Sequence, residues 1–126
     1  MTRKKTAAFL VDCLSNMPDQ TEQVQSVVDT AIAGLKRIAN GGEWPEDEAL
    51  AAITAAAAAW GTAQVSWASD RAVTYAADWA ALKADAAWSE WAAKASVAAA
   101  DWAARAHADP AAERARQATK RKELGL

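Results

Sequence analysis

The chain has 126 residues, 52% of them apolar, with 14 Lys and Arg against 16 Asp and Glu for a formal net charge of −2. This length fits one domain with a core of its own, and so small a charge names neither an acidic nor a basic partner for the chain as a whole. Cys13 is the only cysteine, which excludes an intrachain disulfide and points to a reducing cytoplasm.

Residues 1–17 begin with Arg3, Lys4 and Lys5, but Asp12 interrupts the apolar stretch and no small-residue cleavage pattern follows. They read as an N-terminal helix, about 2–16, rather than a signal peptide. Leu10, Leu14 and Met17 form its stripe, and Pro18 stops it. Asp19 then reads as an N-cap with Glu22 in the capping-box position. The helix that follows runs to about Ala39 with Val24, Val28, Ala31, Leu35 and Ile38 on one face. Asn40-Gly41-Gly42 ends it, since glycine accepts the left-handed conformation of a helix C-terminus.

Pro45 suits a first helical turn, and Glu46, Asp47 and Glu48 complement the positive end of the helix dipole. The expected helix reaches about Trp60, with Leu50, Ile53, Ala57 and Trp60 on one side and Gly61-Thr62 as the stop. Trp44 is placed to fold back on the first turn as a hydrophobic staple. Ala49 to Ser69 carries no charge and is long enough to cross a bilayer, but it is mostly Ala, interrupted by Thr54, Gly61, Thr62, Gln64 and Ser66. A buried helix and a turn fit that content better than a membrane span.

Trp67, Trp79, Trp91 and Trp102 then recur at steps of 12, 12 and 11 residues in frames such as Asp78-Trp79-Ala80-Ala81 and Asp101-Trp102-Ala103-Ala104. A 12-residue step drifts by about 120° around a helix, so one straight helix cannot bury these indoles against one neighbour. The region therefore reads as two helices, about 68–83 and 86–107, with Asp85 as a candidate N-cap, the alternative being a single central helix surrounded by others; Trp88, Trp91 and Trp102 cluster on the second. Asp109 caps and Pro110 starts a last helix to about Leu124, rich in Ala, Arg and Lys, either peripheral or frayed. The expectation is a single all-α domain, a compact bundle of five or six short helices: an N-terminal helix in 1–17, an Ala/Trp-rich body in 19–107 and a basic C-terminal helix or tail in 109–126.

Residues 24–106 resemble the alanine-rich immunity-type proteins carried by bacteria and phages. The matching features are an amphipathic helix ending in a Gly turn with a nearby Trp (Leu35 to Trp44), an acidic helix start (Glu46 to Leu50) and a long Ala run punctuated by aromatics (Ala51 to Ala106). In that family the punctuating residues are often His or Tyr; here they are Trp. The resemblance brings no catalytic motif. It implies a small cytoplasmic protein that binds and neutralises another factor.

The residues themselves suggest no chemistry. His107 and Cys13 are far apart, and together they cannot complete a tetrahedral metal site. His107 reads as a cation at a helix C-terminus and Cys13 as a small core residue. Asp70, Asp78, Asp85, Glu90 and Asp101 punctuate the Trp repeats, and the polar edges of amphipathic helices account for them better than paired acid–base groups. Gly41-Gly42 follows a helix and lacks the context of a phosphate loop. No catalytic residue, cofactor or metal is expected.

Charge is distributed unevenly: residues 40–101 hold nine acids and three bases, residues 105–126 six bases and three acids. Solvated helix faces explain this, with separate partners for ends and middle as the sharper alternative. The expected function is a non-enzymatic cytoplasmic binding protein of immunity or counter-defence type that occludes a protein partner. Exposed members of Trp44, Trp67, Trp79, Trp88, Trp91 and Trp102 are its candidate contacts. One alternative is nucleic-acid binding by the C-terminal helix through Arg114, Arg116, Lys120, Arg121 and Lys122; another is a nucleotide sponge with a Trp-lined pocket. Ala-rich faces also suit pairing of two copies.

Overall fold

A computed structural model describes residues 2–18, 22–63, 67–81 and 89–126. Among these are six helices: α1 (Thr2–Ser15), α2 (Glu22–Ala39), α3 (Glu46–Ala63), α4 (Trp67–Ala81), α5 (Ser89–Arg105) and α6 (Pro110–Glu123). Each helix packs on the next in sequence, α5 returns to α1, and α6 covers the seam between α5 and α1. The expected all-α bundle of short helices is the fold that forms.

Local chemistry sets most helix ends. Gly41, at φ +90°, lets the Gly42 and Gly41 amides return to the carbonyls of Arg37 (2.7 Å) and Ile38 (3.0 Å), a Schellman cap. Gly125 repeats the device after α6. Asp109 accepts the Ala112 amide at 3.2 Å and Pro110 opens α6, as its sequence indicates. Asp19 and Asp85, the other expected caps, lie outside the described residues. Gly61 and Thr62 do not stop α3, which continues to Ala63; a lone Gly costs a helix only about 1 kcal/mol relative to Ala.

The Trp-repeat region divides into α4 and α5 as expected. α4 is the central helix, packed on α1, α2, α3 and α5. None of its described side chains is exposed. The core is made in two ways. Between α1 and α2 it is filled by Phe9, Leu10, Cys13, Leu14, Val28, Leu35 and Ile38. Between α3, α4 and α5 it is almost all alanine: Ala49, Ala52 and Ala56 on α3, Ala72, Ala76, Ala77 and Ala80 on α4, and Ala95, Ala99, Ala100 and Ala103 on α5. Such faces let helix backbones approach near the lower limit of about 8 Å, where dispersion between main chains replaces side-chain area.

That layer corrects the register read for α3. Its buried stripe is Ala49, Ala52 and Ala56, one residue before the expected Leu50, Ile53 and Ala57. Leu50 is 49% exposed, Ala57 is exposed and Ile53 sits at the edge. A Leu pointed at α4 would force the two helices apart and forfeit the contacts of the whole Ala stripe.

Candidate functional site

The basic residues of the C-terminal helix turn out to dock it. Arg114 donates twice to Asp101 of α5, at 3.0 and 3.1 Å. Arg116 reaches α1 by donating to Asp12 at 2.7 Å, and clasps Glu113 with two bonds of 2.6 and 2.8 Å. Arg121 lies over the Phe9 ring, 5.1 Å from its centroid. Lys120 stands 3.8 Å from Glu123, and Lys122 is exposed. Gln117 is buried and donates to the Ala100 carbonyl at 3.0 Å. α6 thus buries Glu113 and Gln117 where another helix would bury Leu; it is neither detached nor a free cationic face. The structure brings Lys120, Arg121 and Lys122 together at the end of α6 and commits Arg114 and Arg116 to partners inside the molecule.

The Arg116 clasp is also the densest polar cluster in the described residues. The Glu113 side chain is only 5% exposed, and the hydrogen bonds from Arg116 hold its carboxyl below the usual glutamate range. Arg116 is raised in turn, chiefly by the same bonds. His107, in the turn after α5, brings Nε2 to 3.7 Å from Glu113. Burial, followed by the neighbouring Asp12 carboxylate, pushes the Cys13 thiol up to about 12, which keeps it protonated and unreactive at neutral pH. Asp70 and Asp78 on α4 are half-buried, and loss of solvent raises both carboxyls. Among the described residues no group of three or more His, Cys, Asp or Glu could hold a metal ion, and no helix is long and apolar enough to cross a membrane.

Three of the six candidate contact indoles can be placed. Trp44 and Trp79 are 5% and 4% exposed, so both belong to the core and have almost no surface to offer a partner. Trp79 is covered by the Arg3 guanidinium, 4.8 Å from the ring centroid. Arg3 also donates to the Ala80 carbonyl at 2.9 Å. Trp102 is half-buried beneath Arg105 at 4.5 Å. The side chains of Trp67, Trp88 and Trp91 lie outside the described residues. Trp44 does not staple the first turn of α3 alone: its indole crosses to α2 and lies on the backbone of Gly34, where an added Cβ would sit 2.3 Å from the ring.

Above Trp44, α2 and α3 leave an open groove of about 560 Å³. Its floor is Ala33, Gly34, Ala51, Ala52 and Ala55, with Val27 along one wall. Thr30 and Ser26 line the α2 side, and Thr30 is turned back onto the Ser26 carbonyl at 3.0 Å. Arg37 and Glu48, 3.0 Å apart, bridge its Trp44 end. Outside the groove lining, Glu46 and Asp47 are exposed and form no ion pair among the described residues, and Leu50 stands half-exposed on the side of α3 away from the groove. A small-residue floor with a polar bridge at one end suits a helix better than a flat ligand. The groove's one trace in the sequence is Gly34, a glycine inside a helical pattern that yields space to Trp44.

The chain matches no protein-family model, no curated protein and no solved structure.

Proposed function

We propose that this protein is a non-enzymatic binding protein of the immunity or counter-defence kind, which occludes a protein partner by seating one of its helices between α2 and α3. The observation that carries the reading is the groove floored by Ala33, Gly34, Ala51, Ala52 and Ala55, with the Arg37–Glu48 pair at one end. A small-residue floor lets a partner helix bring its backbone close, and the Arg37–Glu48 pair offers a polar contact for orientation. The cytoplasm fits a chain whose single thiol is buried and protonated.

The test is capture of a partner from nuclease-treated bacterial lysate by the intact protein and by Ala51→Arg and Ala55→Arg variants. Both positions are exposed, so the added side chains fill the groove without entering the core. One co-purifying protein, lost at least about tenfold with either variant at unchanged helicity and melting temperature, is expected, since a blocked central contact costs on the order of 2 kcal/mol. Undiminished capture by both variants would sink the reading.

A further inference from the structure

We infer that the two basic chain ends form one composite surface, at the end of the bundle where α1 begins and α6 finishes, which takes the phosphate backbone of a nucleic acid. The two segments are far apart in sequence and meet in the fold. Asp12 pairs with Arg116 and Phe9 lies under Arg121, which runs α1 and α6 antiparallel. The Lys5 ammonium then reaches Gly125, 3.3 Å from where a Cβ there would sit, and the Lys4 ammonium stands in the same relation to Gly41 at the end of α2. Lys4, Lys5 and Lys122 are exposed, and Arg121 is partly so.

The charges decide the sign of this surface. Arg3 is spent on the Ala80 carbonyl and Trp79, and Lys120 lies near Glu123. The ends of α2, α4 and α6 that converge here each carry roughly half a negative charge, which holds the lysines in place without cancelling them. Lys4, Lys5, Arg121 and Lys122 outweigh those three half charges together with Glu43, whose carboxylate acts on Arg3. Shape decides between a strand and a membrane. Glu43, Pro45 and Glu46 line the same depression as Arg3, so an anionic plane pressed on this end would meet the acids that open α3. A nucleic-acid backbone can follow the α1–α6 stripe and leave those acids in water. Phe9, Trp44 and Trp79, the described large aromatics nearest this end, are buried, and none can seat at a lipid interface.

The surface differs from a basic C-terminal helix acting alone, because half of it comes from α1. The test is fluorescence anisotropy of a labelled 20-base-pair duplex of mixed sequence with the intact protein, from 50 to 200 mM KCl. About four phosphate contacts give roughly a 100-fold loss of affinity over that range. Lys4→Glu/Lys5→Glu and Lys122→Glu are each expected to weaken binding at least about tenfold at 50 mM KCl and to lower the salt slope by about one per lysine removed. Lys94→Glu, the same charge change on α5, is expected to stay within about twofold, because unlocalised charge is largely screened. Several results overturn the proposal: no binding at 50 mM KCl, equal loss with Lys94→Glu, or full binding by Lys4→Glu/Lys5→Glu. Tighter binding to phosphatidylserine vesicles than to the duplex assigns the surface to membranes and overturns it too.

Discussion

Gly34 is the residue on which the α2–α3 contact turns. An alanine there gains about 1 kcal/mol of helix propensity but drives a methyl into the Trp44 ring, where the built Cβ lies 2.3 Å from the indole. Neither backbone can retreat without opening the Ala floor beside it. Gly34→Ala is therefore expected to destabilise by about 1–3 kcal/mol in urea unfolding, and to become neutral or stabilising once Trp44 is replaced by Leu. An equal cost in both backgrounds would separate Gly34 from Trp44. A different logic holds Arg116. Removing it with Arg116→Met strands the Glu113 carboxylate, 5% exposed, and is expected to cost about 3 kcal/mol, at the low end for a broken buried pair because Arg116 itself is 35% exposed. Glu113 is held below its ordinary value of 4.5, so its contribution is complete above that pH and fades as pH falls through the lowered value. The stability gap between the native protein and Glu113→Gln should accordingly narrow below about pH 4.5; a gap that widens on acidification contradicts the clasp.

At the scale of elements, α3 and α6 show what could and could not be read from sequence. The stripe on α2 was legible because Val28, Ala31, Leu35 and Ile38 repeat on one face among polar neighbours, and all four are buried. The division of the Trp region was legible because a 12-residue step cannot keep one face. On α3 nearly every residue is apolar, so periodicity ranks Leu50 above Ala49, whereas packing against an alanine-faced α4 selects the smaller side chain. Leu50→Ala is thus expected to change stability by no more than about 0.5 kcal/mol, while Ala52→Leu overpacks the layer at a cost of about 1–3 kcal/mol. Thermal unfolding of the two variants checks the register, and the reverse order would restore Leu50 to the core. For the opposite reason the docking of α6 was illegible, although Asp109 and Pro110 marked its start. It has no apolar face to find, and its docking groups (Asp12, Ala100 and Asp101) lie on α1 and α5. Pairings this distant leave no local pattern. The same holds for the groove, whose one sequence trace, a Gly in the middle of a helical pattern, is a weak signal by itself.

Across the whole molecule the oppositely charged segments of the sequence pair in part with one another near the surface. The basic start of α1 meets the C-terminal ends of α2, α4 and α6, and the basic α6 meets Asp12 and Asp101. What remains at the surface is a small-floored groove between α2 and α3 and a basic stripe where the chain ends meet. Of the candidate indoles, Trp44 and Trp79 serve the core, and alanines with Gly34 shape the floor of the α2–α3 groove. The most direct measurement is amide hydrogen exchange of the protein alone and in complex with the partner it captures. Added protection concentrated in α2 and α3, around Ala33, Gly34, Ala51 and Ala55, with α6 unchanged, is the expected result. Protection confined to α1 and α6, or none on α2 and α3, would contradict it.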